Sequence, residues 1–131
     1  MLAPTLMTES VSTPIETWCS ICSMNDIVPF TGVAALVGKQ QVAIFRLNMN
    51  RADGAQCYAI SNYDPFSKAN VIARGIVGDK NGVIKVASPL YKNTFNLLTG
   101  HCLEDETIRL QTWPTRVVDG NVQIAIQPAD V

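Results

Sequence analysis

The chain reads as an all-β domain, and three features of its sequence carry that reading. Short β-prone runs recur at intervals of roughly ten residues, broken by Gly, Asn, Asp and Pro. Asn81-Gly82 and Asp119-Gly120 are dipeptides of type I′ hairpins, whose two central residues need positive φ. Val122, Ile124 and Ile126 alternate with Gln123, Ala125 and Gln127, the pattern of a strand with one face in a core and one in water.

Taken in order, residues 1–16 (MLAPTLMTESVSTPIE) are rich in Thr, Ser and Pro and keep no period. They are expected to be a flexible lead-in to one domain over 17–127, with 128–131 as a tail. The first strand is expected at Thr17–Ile21. Ser23–Val28 (SMNDIV) is the one helical-looking turn, with Asn25 or Asp26 placed to cap or bend it. Gly32–Val37 and Gln41–Leu47 are apolar runs joined through Gly38-Lys39-Gln40, and Gln56–Ser61 follows. Asp64 to Gly75 reads as a long loop, a kind of segment that in compact domains tends to be functional or to descend from a functional one. Runs at Gly75–Val77 and Gly82–Ala87 flank Asn81-Gly82, and Thr94–Leu97, Arg109–Thr112, Thr115–Val118 and Asn121–Ile126 complete the domain.

At 131 residues the chain can bury one core without staples, and 47% hydrophobic against 16% charged residues is far from the signature of disorder. Net charge is −1 and the ten Lys and Arg are scattered, whereas nucleic-acid binding needs a concentrated basic face. No run approaches the roughly 18 apolar residues of a membrane span. Residues 1–17 lack the basic and apolar regions of a secretory signal, so the expected location is cytoplasmic.

Two loops stand out. The first is Ser61-Asn62-Tyr63-Asp64-Pro65-Phe66; the second is Ser88-Pro89-Leu90-Tyr91-Lys92-Asn93-Thr94-Phe95-Asn96-Leu97, closed by Leu98-Thr99-Gly100. Their order and spacing resemble the cluster-binding subdomain of Rieske proteins, where two thiolates hold one iron of a [2Fe-2S] cluster and two imidazoles the other. Pro65, Pro89, Phe95, Leu97 and Gly100 match that scaffold. Asp64 and Ser88 stand at the cysteine positions, and Phe66 and Tyr91 at the histidine positions. The resemblance implies a Rieske-like antiparallel β-sandwich with a degenerate cluster-binding subdomain within 62–100.

Further blocks narrow it. Trp18-Cys19-Ser20-Ile21-Cys22, Gly32 to Gly38, Gln41 to Arg46, Tyr58 to Phe66, Arg74-Gly75, Val86 to Leu90, Phe95, Leu103-Glu104-Asp105 and Arg116 to Gln123 resemble the small subunits of NAD(P)H-dependent assimilatory nitrite reductases. This implies an accessory subunit without a cofactor of its own. Its partner is then a large subunit carrying FAD, an iron–sulfur cluster and sirohaem, which reduces nitrite to ammonium.

The residues themselves weigh against a cluster here. Such a site needs two imidazoles, and the chain has one histidine, His101. Oxygen from Asp64 or Ser88 is a poor match for a sulfur-bridged core. Tyr63, Phe66 and Tyr91 are expected to fill or cover the space a cluster would occupy, either as a plug or as a packed tip used for docking. An electron carrier with atypical ligands is the alternative. Cys19 and Cys22 have metal or redox spacing, yet residues three apart on a strand face opposite ways unless the chain bends at Ser20 or Ile21. Buried packing and a zinc or redox module are the two readings of the cysteines. His101 is expected to be an exposed turn residue, and Glu104-Asp105-Glu106 a solvated loop, a cap, or a contact for a basic partner. No phosphate loop, paired nucleophile and base, or metal cage suggests an independent enzyme.

Overall fold

The computed structural model describes residues 17–47 and 56–127; the expected lead-in over 1–16 and tail over 128–131 lie outside the described residues. The strands are β1 (Thr17–Ser23), β2 (Gly32–Val37), β3 (Gln40–Arg46), β4 (Cys57–Ser61), β5 (Tyr63–Asp64), β6 (Ala69–Asn70), β7 (Ile76–Lys80), β8 (Val83–Ala87), β9 (Thr94–Asn96), β10 (Thr112–Trp113), β11 (Thr115–Val118) and β12 (Asn121–Ile126). Their pairings are antiparallel, in sheets ordered β1-β12-β11, β10-β4-β3-β2, β5-β6 and β7-β8-β9.

The middle sheet explains why its strands are apolar without alternation. Residues 42–45 of β3 and 57–60 of β4 are all buried. Ala43, Phe45, Tyr58 and Ile60 pack with Ile84, Val86, Phe95 and Leu97 of the β7-β8-β9 side. Val42, Ile44, Cys57 and Ala59 pack on the opposite face with Val122 and Ile124 of β12. The molecule is therefore layered, and its central layer has two dry faces, each large side chain buried there contributing about 1.5–3 kcal/mol.

The hairpin chemistry is as the sequence predicts. Lys80 pairs with Val83 across Asn81 and Gly82, both at positive φ, and Val118 pairs with Asn121 across Asp119 and Gly120, likewise both positive. The expected helical turn is a single 3₁₀ turn at Met24–Asp26. Ser23 and Asp26 form a reciprocal capping box there.

Several boundaries differ. The long loop after Asp64 contains the β5-β6 pairing and a 3₁₀ turn at Ile72–Arg74. The run expected at Arg109–Thr112 is mostly not sheet, and ladder pairing with β4 begins only at Thr112. Its earlier part is claimed by the turn at Gly100: Leu110 N–H donates to Gly100 O, and a Cβ on Gly100 would lie 2.0 Å from Leu110 O. In β1 the register jumps between Ser20 and Cys22, leaving Ile21 as a bulge.

Candidate functional site

Loop 1 runs from the end of β4 to Gly75, and loop 2 joins β8 to β9. Asp64 and Ser88 are fully buried where the loops meet. Ser88 Oγ donates to Asp64 Oδ2 at 2.5 Å, while Asp64 Oδ1 accepts from Phe66 N–H at 2.9 Å. Burial pushes the Asp64 carboxyl upward, but the hydrogen bonds from the Ser88 hydroxyl and the Phe66 amide outweigh it and hold the group below its ordinary range. Asp64 is thus an anion buried between two loops and satisfied by them.

The two loops have the same shape. Asp64-Pro65-Phe66-Ser67-Lys68 closes with Lys68 N–H on Asp64 O at 2.7 Å, and Ser88-Pro89-Leu90-Tyr91-Lys92 closes with Lys92 N–H on Ser88 O at 3.1 Å. In each, the closing lysine is left-handed, with φ of 59° at Lys68 and 63° at Lys92. Glycine takes that conformation freely; a residue with a Cβ takes it at a cost of roughly 1–2 kcal/mol.

The residues at the histidine positions part company. Phe66 turns inward against the core, its ring centroid 6.3 Å from that of Phe95. Tyr91 is 67% exposed, with Leu90 beside it at 54% and Tyr63 at 44%. The structure therefore brings together Asp64, Ser88 and Phe66 as interior residues and leaves Tyr63 and Tyr91 on the surface. Of the three rings expected to fill or cover one space, Phe66 packs against the core while Tyr63 and Tyr91 are exposed.

A Rieske cluster does not fit this donor set. Both Asp64 oxygens are already used, Phe66 supplies no ligand atom, and the chain's single histidine is exposed in another turn, bridged to Arg109. Among the described residues no group of three His, Cys, Asp or Glu is placed to hold a metal.

The bulge at Ile21 sets Cys19 opposite Ile124 and Cys22 opposite Val122, two residues apart on β12, so both cysteines fall on one face. The bend that simple alternation lacks is present. Cys57 nevertheless lies in the core between β12 and the middle sheet, with the half-buried Cys22 packed against it. Burial, with the nearby Cys22 adding to it, pushes the Cys57 thiol up to about 11. Its Sγ lies 3.3 Å from Met24 Sδ. A thiol of that kind is packing, not a nucleophile.

Two residues matter more than the sequence indicates. Asn62, buried at the mouth of loop 1, accepts from Ala73 N–H at 2.7 Å and donates to Gln41 Oε1 at 3.0 Å, tying the two ends of the loop together. A strand-ending asparagine is a turn signal, but nothing local announces a partner eleven residues on. Glu104 accepts from Thr94 N–H at 2.9 Å and from the Thr94 hydroxyl, bracing the start of β9. The acidic run is therefore partly structural.

A sequence model described as "Rieske-like [2Fe-2S] domain" matches residues 17–125. The chain is 47% identical over 107 residues, 82% of its length, to the "Nitrite reductase (NADH) small subunit" of Salmonella typhimurium, 95% of which is covered. The solution structure of the nitrite reductase [NAD(P)H] small subunit from Erwinia carotovora superposes with a TM-score of 0.70 at 46% identity, covering 87% of this chain and 85% of that one. A stretch of the "Nitrite reductase [NAD(P)H] large subunit" of Klebsiella oxytoca is 35% identical over 126 residues, 96% of this chain but 12% of that protein. A ferredoxin of carbazole 1,9a-dioxygenase from Nocardioides aromaticivorans shares the fold at 18% identity and a TM-score of 0.67.

Proposed function

The chain belongs to the Rieske-like [2Fe-2S] domain family, and from that premise we propose that it is the small, accessory subunit of an NAD(P)H-dependent nitrite reductase. The observation that carries this is 47% identity to a nitrite reductase small subunit over nearly that protein's whole length. Its partner is the large subunit, whose Klebsiella oxytoca counterpart contains a stretch like this chain.

The chain contributes no redox centre by the Rieske route. The positions that would ligate iron have become a hydrogen-bonded pair, a core aromatic and a surface tyrosine. What remains is a rigid pair of loops, and the role we assign them is docking, with Tyr63 and Tyr91 presented at the surface and Asp64, Ser88 and Phe66 fixing the shape beneath. FAD, an iron–sulfur cluster and sirohaem then reside in the large subunit. We place the assembly in the cytoplasm, in nitrate assimilation. No helix among the described residues is long and apolar enough to cross a membrane.

Purification with the large subunit tests the reading. A stoichiometric complex is expected, with nitrite reduction reduced or less durable when the small chain is omitted. No association at micromolar concentration, together with unchanged turnover without the chain, would overturn it.

A further inference from the structure

We propose that Lys68 and Lys92 are the electrostatic clamp by which this chain docks on the reductase large subunit, which meets them with carboxylates around an apolar recess that receives Leu90 and Tyr91. The inference rests on the small-subunit reading and names the face and the chemistry that the reading leaves open.

Three observations converge on these two lysines. The first is position. Lys68 N–H bonds Asp64 O, Asp64 bonds Ser88, and Ser88 O accepts from Lys92 N–H, so three hydrogen bonds link the two lysine backbones. Wherever one loop is placed, the other lysine follows.

The second is conformation. Both lysines occupy the left-handed closing position of an i to i+4 turn, where glycine is the residue without strain. Strain held at a loop tip points to a side chain that is needed there. For each lysine that side chain is an exposed ammonium, and among the described residues neither has an ion pair or side-chain hydrogen bond.

The third is charge. Residues 61–76 and 87–93 contain Lys68, Arg74 and Lys92 as exposed cations, and their one acid, Asp64, is buried. The chain as a whole carries a net charge of −1, whereas the exposed charges of these two stretches are all positive. The apolar side chains beside them, Leu90 and Tyr91, are more than half exposed. A surface that offers exposed apolar side chains and cations without an exposed acid is matched by an apolar recess flanked by carboxylates.

The test replaces Lys68 and Lys92 together by glycine and measures affinity for the purified large subunit over a range of salt concentration, alongside the melting temperature. Glycine relieves the left-handed strain, so the variant should melt at or above the wild-type temperature. It should bind at least tenfold more weakly at low salt, with a flatter salt dependence. A Lys80→Ala/Lys85→Ala control, on the β7-β8 hairpin and outside both loops, should bind as wild type does.

Wild-type affinity and salt slope in the double glycine variant would overturn the proposal, as would an equal loss in the control. A wild-type chain that forms no complex at all would instead overturn the small-subunit reading.

Discussion

Asp64 and Ser88 show how a carboxylate can be buried when a neighbouring loop supplies its partner. A lone buried carboxylate is costly, but here Ser88 and the Phe66 amide satisfy it, and the pair joins two loops without metal. Because its folded pKa is depressed, the stability it adds is present above the unfolded value of 3.8 and is lost as pH falls through the folded one. Asp64→Asn should therefore be less stable than wild type at pH 7 by about 1–3 kcal/mol. Denaturant titrations repeated down to acid pH should show that difference shrink only below the ordinary carboxylate range; a constant difference would mean that the carboxyl titrates normally. Phe66 and Tyr91, equivalent by sequence position, should behave oppositely. Phe66→Ala is expected to cost about 2 kcal/mol or more by leaving a void beside Phe95. Tyr91→Ala, removing an exposed ring, should leave stability within about 0.5 kcal/mol of wild type while weakening association with the large subunit.

Loops hold their shape through contacts far along the chain, and those contacts are where the elements are vulnerable. Asn62 closes loop 1 against Ala73 and Gln41. Asn62→Ala strands the part-buried backbone amide of Ala73 and should destabilise the protein by about 1–3 kcal/mol, read from urea midpoints. Gly100 sits at φ +84° under the carbonyl of Leu110. A Cβ there meets backbone, which cannot swing aside, so Gly100→Ala should exceed about 2 kcal/mol of destabilisation or fail to yield folded protein. Sequence pattern located both hairpin turns, because Asn-Gly and Asp-Gly demand positive φ locally. It misplaced the strand at Arg109, because the partner that displaces it, the turn at Gly100, is announced nowhere near it.

At the scale of the molecule, the cores on the two faces of the middle sheet take in Cys57 and Cys102, with Cys22 packed against one of them. Cys57 and Cys102 are buried and Cys19 and Cys22 half-buried. Thiol titration of the native protein near pH 7 should find Cys57 and Cys102 nearly unreactive, since burial raises both, and all four should react once the chain is unfolded. Rapid reaction of Cys57 in the native state would contradict its place in the core. The same layering sets where the two loops meet: β4 and β8, which lead into them, belong to different sheets and share one core.

The strand rhythm, the type I′ turns and the want of a second imidazole for a Rieske site were determined by the sequence alone. Each follows from local conformational preference or from the inventory of donor atoms, one histidine included. Only the tertiary structure decided where Asp64, Phe66, Ser88 and Tyr91 sit. Whether Asp64 meets Ser88, and whether Phe66 turns inward to Phe95 while Tyr91 stays in water, depend on chain segments more than twenty residues apart packing on a common core. Such contacts arise from packing complementarity, which has no local signature in the sequence.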